Sequence, residues 1–305
     1  MIPAMPTAAF KEWELSCLPA EQRTAVFHSS GTTAQQQSRH FHSADSLSVY
    51  EASLLSWFNV HLPLGSGNRR LVMLTPPPEQ APHSSLVHMF DTIQRSAAAV
   101  PAQAGFVGKL AADGAWALDM GLALEALQQA VEAQQPVLLL GTAFSFVHLL
   151  DHLAEQRLRF ELPPGSCAME TGGYKGRSRE LPKTALHNLI SQRLGIPVNQ
   201  IVCEYGMSEL SSQAYDRAIH DPRDTQHAVR PFRFPPWARA QVISPETGCE
   251  VAEGETGLLR IFDLANVYSV MAIQTEDLAV RRADGFSLLG RATLAEPRGC
   301  SLMVA

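Results

Sequence analysis

Short apolar runs alternate with stretches of helical periodicity through most of the chain. RRLVMLT (Arg69 to Thr75) is a nearly continuous apolar run closed by Pro76, Pro77 and Pro78, a pattern that predicts a buried strand. Ser84 to Val100 has helical spacing. Leu118 to Gln135 predicts an amphipathic helix that Pro136 ends, and PVLLLG follows as a strand. Phe144 to Leu158 predicts a helix, CAMET a short strand, Leu181 to Leu194 a helix, and QIVCEYG a strand that runs into a loop. Strands alternating with helices imply parallel pairing and an α/β architecture. After about Ala228 the texture changes. ARAQVIS, GLLRIFDL, MAIQTEDLAV and GFSLLGR are short strands separated by the turn signals PETG, EGETG and ADG. The expected organisation is an α/β core over 1–228 and a smaller, mainly antiparallel subdomain over 229–305, with the Pro-rich RPFRFPPW at the boundary.

Composition narrows the function. The chain has 305 residues, 46% of them hydrophobic, enough for a sizeable core. Its formal charge is −6, from 30 acidic and 24 basic side chains, with no dense basic run, which argues against a nucleic-acid groove. No apolar stretch approaches the roughly 20 residues that span a bilayer, and the N-terminus lacks the pattern of a signal peptide. The five cysteines (Cys17, Cys167, Cys203, Cys249 and Cys300) are odd in number and widely spaced, and no CxxC pair occurs. A reduced, cytoplasmic protein without a disulfide frame or zinc site is expected.

Three segments carry candidate chemistry. His28-Ser29-Ser30-Gly31-Thr32-Thr33 offers hydroxyls and close backbone N–H groups, as a polyphosphate requires, although an ordinary polar turn has the same composition. It is not a GxxxxGK[ST] loop. Glu204-Tyr205-Gly206-Met207-Ser208-Glu209-Leu210 follows an expected strand, and ligands of α/β sheets collect at such carboxyl ends. There Tyr205 offers a flat face for a purine, Gly206 admits close approach, Ser208 can donate to a phosphate, and Glu209 is a hard oxygen ligand suited to Mg²⁺. The alternative is a solvated loop. In the third segment, Thr275-Glu276-Asp277 precedes Asp284-Gly285 and Gly290-Arg291. Asp277 could accept from both ribose hydroxyls and Arg291 could reach ribose or phosphate, or the segment is a pair of β-turns with a surface arginine.

The order of the three segments resembles that of the core motifs of the acyl-adenylating superfamily, which includes acyl-CoA synthetases and firefly-type luciferases. The resemblance covers most of the chain and implies an N-terminal adenylating-domain fold that uses ATP and Mg²⁺. It makes Ser29, Ser30, Gly31, Thr32 and Thr33 the phosphate loop, and Gly172 and Gly173 of METGGYKGR the adenine-side loop. Tyr205 would stack on adenine, Glu209 would hold Mg²⁺, Asp277 would hold the ribose, and Arg291 sits at the ribose-contacting arginine. The continuation Ala34-Gln35-Gln36-Gln37-Ser38-Arg39 departs from the superfamily's Gly and Lys, so Lys175 is the candidate replacement cation, with Arg39 a second.

A narrower resemblance is to the acyl-protein synthetases of bacterial bioluminescence operons, the LuxE family. It rests on IPAMPTAAFKEWEL, on FHSSGTT with SRHF, and on a chain that stops fourteen residues after Arg291 in EPRGCSLMVA. The expectation is a chain without the superfamily's mobile C-terminal domain. The resemblance implies that a fatty or other carboxylic acid becomes acyl-AMP, passes to Cys300, and is handed to an acyl-CoA-reductase-like partner. A free thiol with a pKa near 8.5 is only slightly ionised at neutral pH, and Arg298 nearby would raise that fraction. The other four cysteines read as passive. Two alternatives stand: an acyl-CoA ligase, and a non-catalytic nucleotide- or acyl-binding regulator. Of the remaining candidates, His28 is expected near the carboxylate while His40 and His42 read as solvated. His148 and His152 lack the glutamate of a zinc-protease helix.

Overall fold

The computed structural model describes residues 2–29, 37–64, 69–97, 105–112, 114–172, 179–217, 219 and 230–292. In chain order the strands and α-helices are β1 (Met5–Pro6), α1 (Ala9–Glu12), β2 (Ala25–His28), β3 (Arg39–His42), α2 (Ala44–His61), β4 (Arg70–Met73), α3 (Ser85–Ala97), β5 (Gly108–Leu110), β6 (Trp116–Leu118), α4 (Met120–Glu132), β7 (Val137–Thr142), α5 (Ala143–Glu155), β8 (Cys167–Thr171), α6 (Lys183–Leu194), β9 (Ile201–Tyr205), β10 (Ala214–Tyr215), β11 (Ala238–Ile243), β12 (Thr256–Asp263), β13 (Ala272–Arg282) and β14 (Gly285–Arg291).

β4, β7, β8 and β9 pair in parallel, in the spatial order β10-β9-β8-β7-β4, and β10 adds an antiparallel edge. Their apolar runs are buried on both faces because helices cover both. Val137 and Leu139 face α4, α5 and α6 with Ala168 and Ile201, whereas Leu138 and Leu140 face α2 and α3 with Met169 and Val202. The period of two along each strand divides one apolar run between two cores. Local chemistry sets the helix ends. Thr142 and Ser145 cap α5 reciprocally, Asp119 caps α4, and α6 stops at Gly195, whose φ of +70° suits glycine.

α2, an 18-residue helix, carries no apolar stripe that sequence reading detects. Its buried positions are Ser46, Tyr50, Ser53, Leu54, Phe58 and His61, so half of the inward stripe is polar. A capping box between Ser43 and Ser46 starts it.

The second sheet is antiparallel through β11-β12-β13-β14, and β1 from the chain's start joins β13 in parallel. β12 alternates strictly, burying Gly257, Leu259, Ile261 and Asp263, as expected of a sheet with one covered face. The buried face forms a third core with Phe10, Tyr205, Phe232 and Phe286. Tyr205, at the end of β9, therefore packs where the two sheets meet.

Candidate active site

Strand β2 delivers the candidate phosphate loop and β3 receives the chain after it. Ser29 extends this hairpin: its N–H donates to Ser38 O at 3.3 Å, and its Oγ accepts from Ser38 N–H at 3.0 Å. Ser30, Gly31, Thr32 and Thr33 lie outside the described residues, as do Gly173, Lys175 and Cys300.

The base of that loop touches the segment after β9. Ser38 Oγ is 3.4 Å from Ser208 Oγ, and Ser208 Oγ donates to Glu209 Oε2 at 3.0 Å. With Ser208 donating to the carboxylate, its remaining acceptor capacity faces the Ser38 hydroxyl, so the three groups form one directed chain. The His40 Nδ1–H donates to Ser208 O at 2.9 Å, and Asn266 Nδ2–H donates to Glu209 O at 2.8 Å. Ser208 and Glu209 are buried, so their neighbours hold them in place.

His40 and His42 are buried as well, which corrects the expectation that they are solvated. Alternation along β3 turns both inward, and their rings lie 4.3 Å apart. Burial lowers His40 to about 4 and His42 to about 2, against an ordinary value of 6.5, so both are neutral imidazoles at neutral pH. His28 stacks on His83 at 4.7 Å, and burial, then the His83 charge, lowers its pKa. Arg39 pairs with Glu14 at 3.3 Å.

A second corner forms at the end of β9. Tyr205 Oη donates to Asp277 Oδ2 at 2.7 Å, joining the two sheets. Burial, then the Asp277 charge, raises the phenol's pKa well above its usual value, so it stays a donor. Most of the ring is used in packing: its centroid lies 5.5 Å from Phe286, 6.1 Å from Phe232 and 6.2 Å from Phe234. Register sets Arg291 opposite Asp277, with Nε 3.9 Å from Oδ1.

Between these corners lies a carboxyl that sequence reading leaves without a role. Glu204 is buried, and its Oε2 accepts from Thr171 Oγ1, the register partner on β8. Burial pushes Glu204 up to about 7 despite the lowering effect of Thr171. The same group lies beside Gly206: a Cβ there would meet Glu204 Oε1. Gly172, just after Thr171, has φ +70°, and none of the described residues comes within 4 Å of where a Cβ would go. Thr171 and Glu204 thus tie the candidate adenine-side loop to the candidate nucleotide segment. Only the parallel register between β8 and β9 brings them together, and no local signal announces it.

Ser29, Ser208, Glu209, Tyr205, Asp277 and Arg291 therefore gather at the carboxyl ends of the parallel strands and the adjoining edge of the second sheet. Such an arrangement, with hydroxyls and a buried carboxylate on one side and a second carboxylate with an arginine on the other, has the chemistry to meet a polar, phosphate-bearing ligand. The Glu209 carboxylate fits a hydrated Mg²⁺ that takes its other ligands from phosphates and water.

A sequence model for the family described as "Acyl-protein synthetase, LuxE" matches residues 1–305. A curated relative, the long-chain-fatty-acid–luciferin-component ligase of Aliivibrio fischeri, is 25% identical over 185 residues, covering 57% of this chain and 46% of its own. Among solved structures, ATP-bound MatB from Rhodopseudomonas palustris superposes with a TM-score of 0.59 at 18% identity, covering 90% of this chain and 49% of that one. A long-chain-fatty-acid–CoA ligase from Archaeoglobus fulgidus gives 0.59 at 13%, covering 90% and 52%. The chain thus spans about half the length of these relatives. The structural likeness establishes the fold, an adenylating-enzyme N-terminal architecture.

Proposed function

The chain belongs to the acyl-protein synthetase, LuxE, family, and from that premise we propose that it activates a carboxylic acid with ATP as an acyl-adenylate. The observation that carries the reading is the hydrogen-bonded chain from Ser29 through Ser38 and Ser208 to Glu209, because it joins the candidate phosphate loop to the candidate metal ligand through the Ser38–Ser208 contact, whose partners are 170 residues apart. In this reading ATP lies with its phosphates over Ser29 to Thr33, its adenine against the Gly172–Gly173 loop and Tyr205, and its ribose on Asp277 with Arg291 alongside. Glu209 would hold Mg²⁺, which supplies charge neutralisation for the phosphates. Lys175 would add a cation near the α-phosphate.

The acid is ionised at neutral pH and needs no base. One carboxylate oxygen attacks the α-phosphorus, the bond to the bridging oxygen breaks, and pyrophosphate leaves. Catalysis is then chiefly positioning and charge stabilisation, to which a site held by Ser38, His40 and Asn266 contributes by being formed beforehand. The Cys300 thiolate next attacks the acyl carbon, AMP departs with the bond electrons, and a thioester remains for a reductase-like partner. The name of the A. fischeri relative supports a fatty acid as the substrate, and the family supports the Cys300 step.

The test is incubation of the full chain with Mg-ATP and radiolabelled fatty acids. Label on the wild type that hydroxylamine releases and Cys300→Ser abolishes is the expected result. Pyrophosphate release with label passing instead to added coenzyme A would replace it with an acyl-CoA ligase. The absence of both label and released pyrophosphate would sink adenylation.

A further inference from the structure

The antiparallel sheet curls so that β11 comes near β14, and a cleft of about 270 Å³ lies between β11, the segment at Phe232 and Phe234, and the turn from β13 to β14. None of the residues gathered in the candidate active site lines it. Arg281 and Arg282, which do, stand four and five residues beyond Asp277 on β13, about 13–17 Å along the strand.

The cleft is positively charged. Arg239 from β11 lines it together with Arg281 and Arg282, and the two acids on its wall are Glu250 and Asp284. Arg233, between the two phenylalanines, pairs with Asp284 at 2.6 Å and takes up that charge. Glu250 is then shared by two guanidiniums, Arg239 at 3.4 Å and Arg281 at 3.6 Å. Arg282 meets a neutral group, its Nε–H donating to Ser287 Oγ at 3.0 Å. Four guanidiniums against two carboxylates leave +2 here, in a chain whose formal charge is −6. Cations concentrated around a concave surface draw anions to it.

The strand edge adds a backbone donor. Ala238 N–H donates to Pro235 O and Val242 O accepts from Val251 N–H, both on the edge of β11 that faces away from β12. Alternation puts the N–H and C=O of Ala240 on that same edge, where among the described residues no backbone group meets them. Phe232 and Phe234 give the cleft an apolar wall.

We propose that this cleft binds a phosphate monoester with a small apolar body, at a place separate from the candidate active site. A monoester is a dianion above about pH 6 and so matches the +2, whereas a monocarboxylate neutralises half of it. Guanidinium forks grip phosphate oxygens in pairs, and the phenylalanine wall takes the organic part. This inference does not rest on the adenylation reading.

The test is calorimetric titration of the full chain, at low salt and about pH 8, with phenyl phosphate, benzoate and inorganic phosphate. It is repeated on Arg239→Ala and Arg282→Ala and with Mg-ATP present. The Arg239 side chain is 69% exposed, so its removal leaves the melting temperature unchanged and serves as the folding control. Phenyl phosphate is expected to bind about tenfold or more tightly than benzoate, and each substitution to weaken it about tenfold, as losing a charged hydrogen-bond partner does. No heat from phenyl phosphate, or benzoate binding equally well, overturns the inference. Binding that both variants retain, or that Mg-ATP displaces, overturns the assignment to this cleft. Inorganic phosphate binding as tightly as phenyl phosphate supports the anion site and overturns the role of the phenylalanine wall.

Discussion

The two flanks of the candidate site are built differently. On the phosphate side, Ser208 and Glu209 are 8% and 6% exposed and fixed by Ser38, His40 and Asn266. On the ribose side, Asp277 is held by Tyr205, but the Arg291 side chain is 84% exposed and 3.9 Å from its carboxylate partner. An exposed pair at that distance contributes little and is screened by salt. Ser208 and Glu209 are therefore held in place by the protein itself, whereas little in the protein fixes the Arg291 side chain. A site whose demanding step is charge stabilisation gains most from rigidity where the charge develops.

Substitutions can break or sharpen this contrast. Glu209→Gln is expected to lower the pyrophosphate-exchange rate by roughly 10²–10³-fold, as does losing a preorganised electrostatic group. A loss under fivefold would mean that the buried flank does not carry the chemistry. Gly206→Ala forces a Cβ against Glu204 and is expected to cost about 1–3 kcal/mol in urea unfolding. Gly172→Ala meets no described residue and is expected to cost only the positive-φ penalty of about 1 kcal/mol. Tyr205→Phe removes the hydrogen bond that holds Asp277 and joins the two sheets, and a stability loss of about 1 kcal/mol with a several-fold rise in the KM for ATP is expected. Arg291→Ala is the mildest on stability: the melting temperature of the free protein stays put, and the KM for ATP rises by less than about tenfold, more at low salt. A drop in melting temperature would show that Arg291 is already fixed.

Proton linkage separates two buried groups by sign. His40 falls from 6.5 to about 4 on folding, so the unfolded chain takes up the proton first and stability is lost as pH drops through that window. Glu204 rises from 4.5 to about 7, so the folded chain keeps a proton that the unfolded chain releases, and stability is lost as pH climbs through that window. Relative to wild type, Glu204→Gln should gain stability as pH rises from 4.5 to 7, and His40→Asn as pH falls from 6.5 to 4. Urea midpoints across this range give both slopes, and a flat Glu204→Gln difference would place that carboxyl in contact with water.

The parallel strands and four of the helices around them were legible in the sequence because apolar periodicity is local: Val137 to Leu140 reads as a buried strand without reference to anything else. The three chemical segments were legible for a similar reason, since hydroxyls, glycines and carboxylates lie within a few residues of one another. The inward turn of His40 and His42 was readable in principle from β3's alternation, but two histidines do not look like a core. Helix α2 escaped because half of its buried stripe is polar. What only the tertiary structure decided is which polar groups meet. Ser38 reaches Ser208, Thr171 reaches Glu204, and Tyr205 reaches Asp277 across separations of 170, 33 and 72 residues. A hydrophobic pattern is repeated at every turn or pleat and so survives in one dimension. A buried hydrogen bond is a single pairing set by strand register, and nothing in the neighbouring residues encodes its partner.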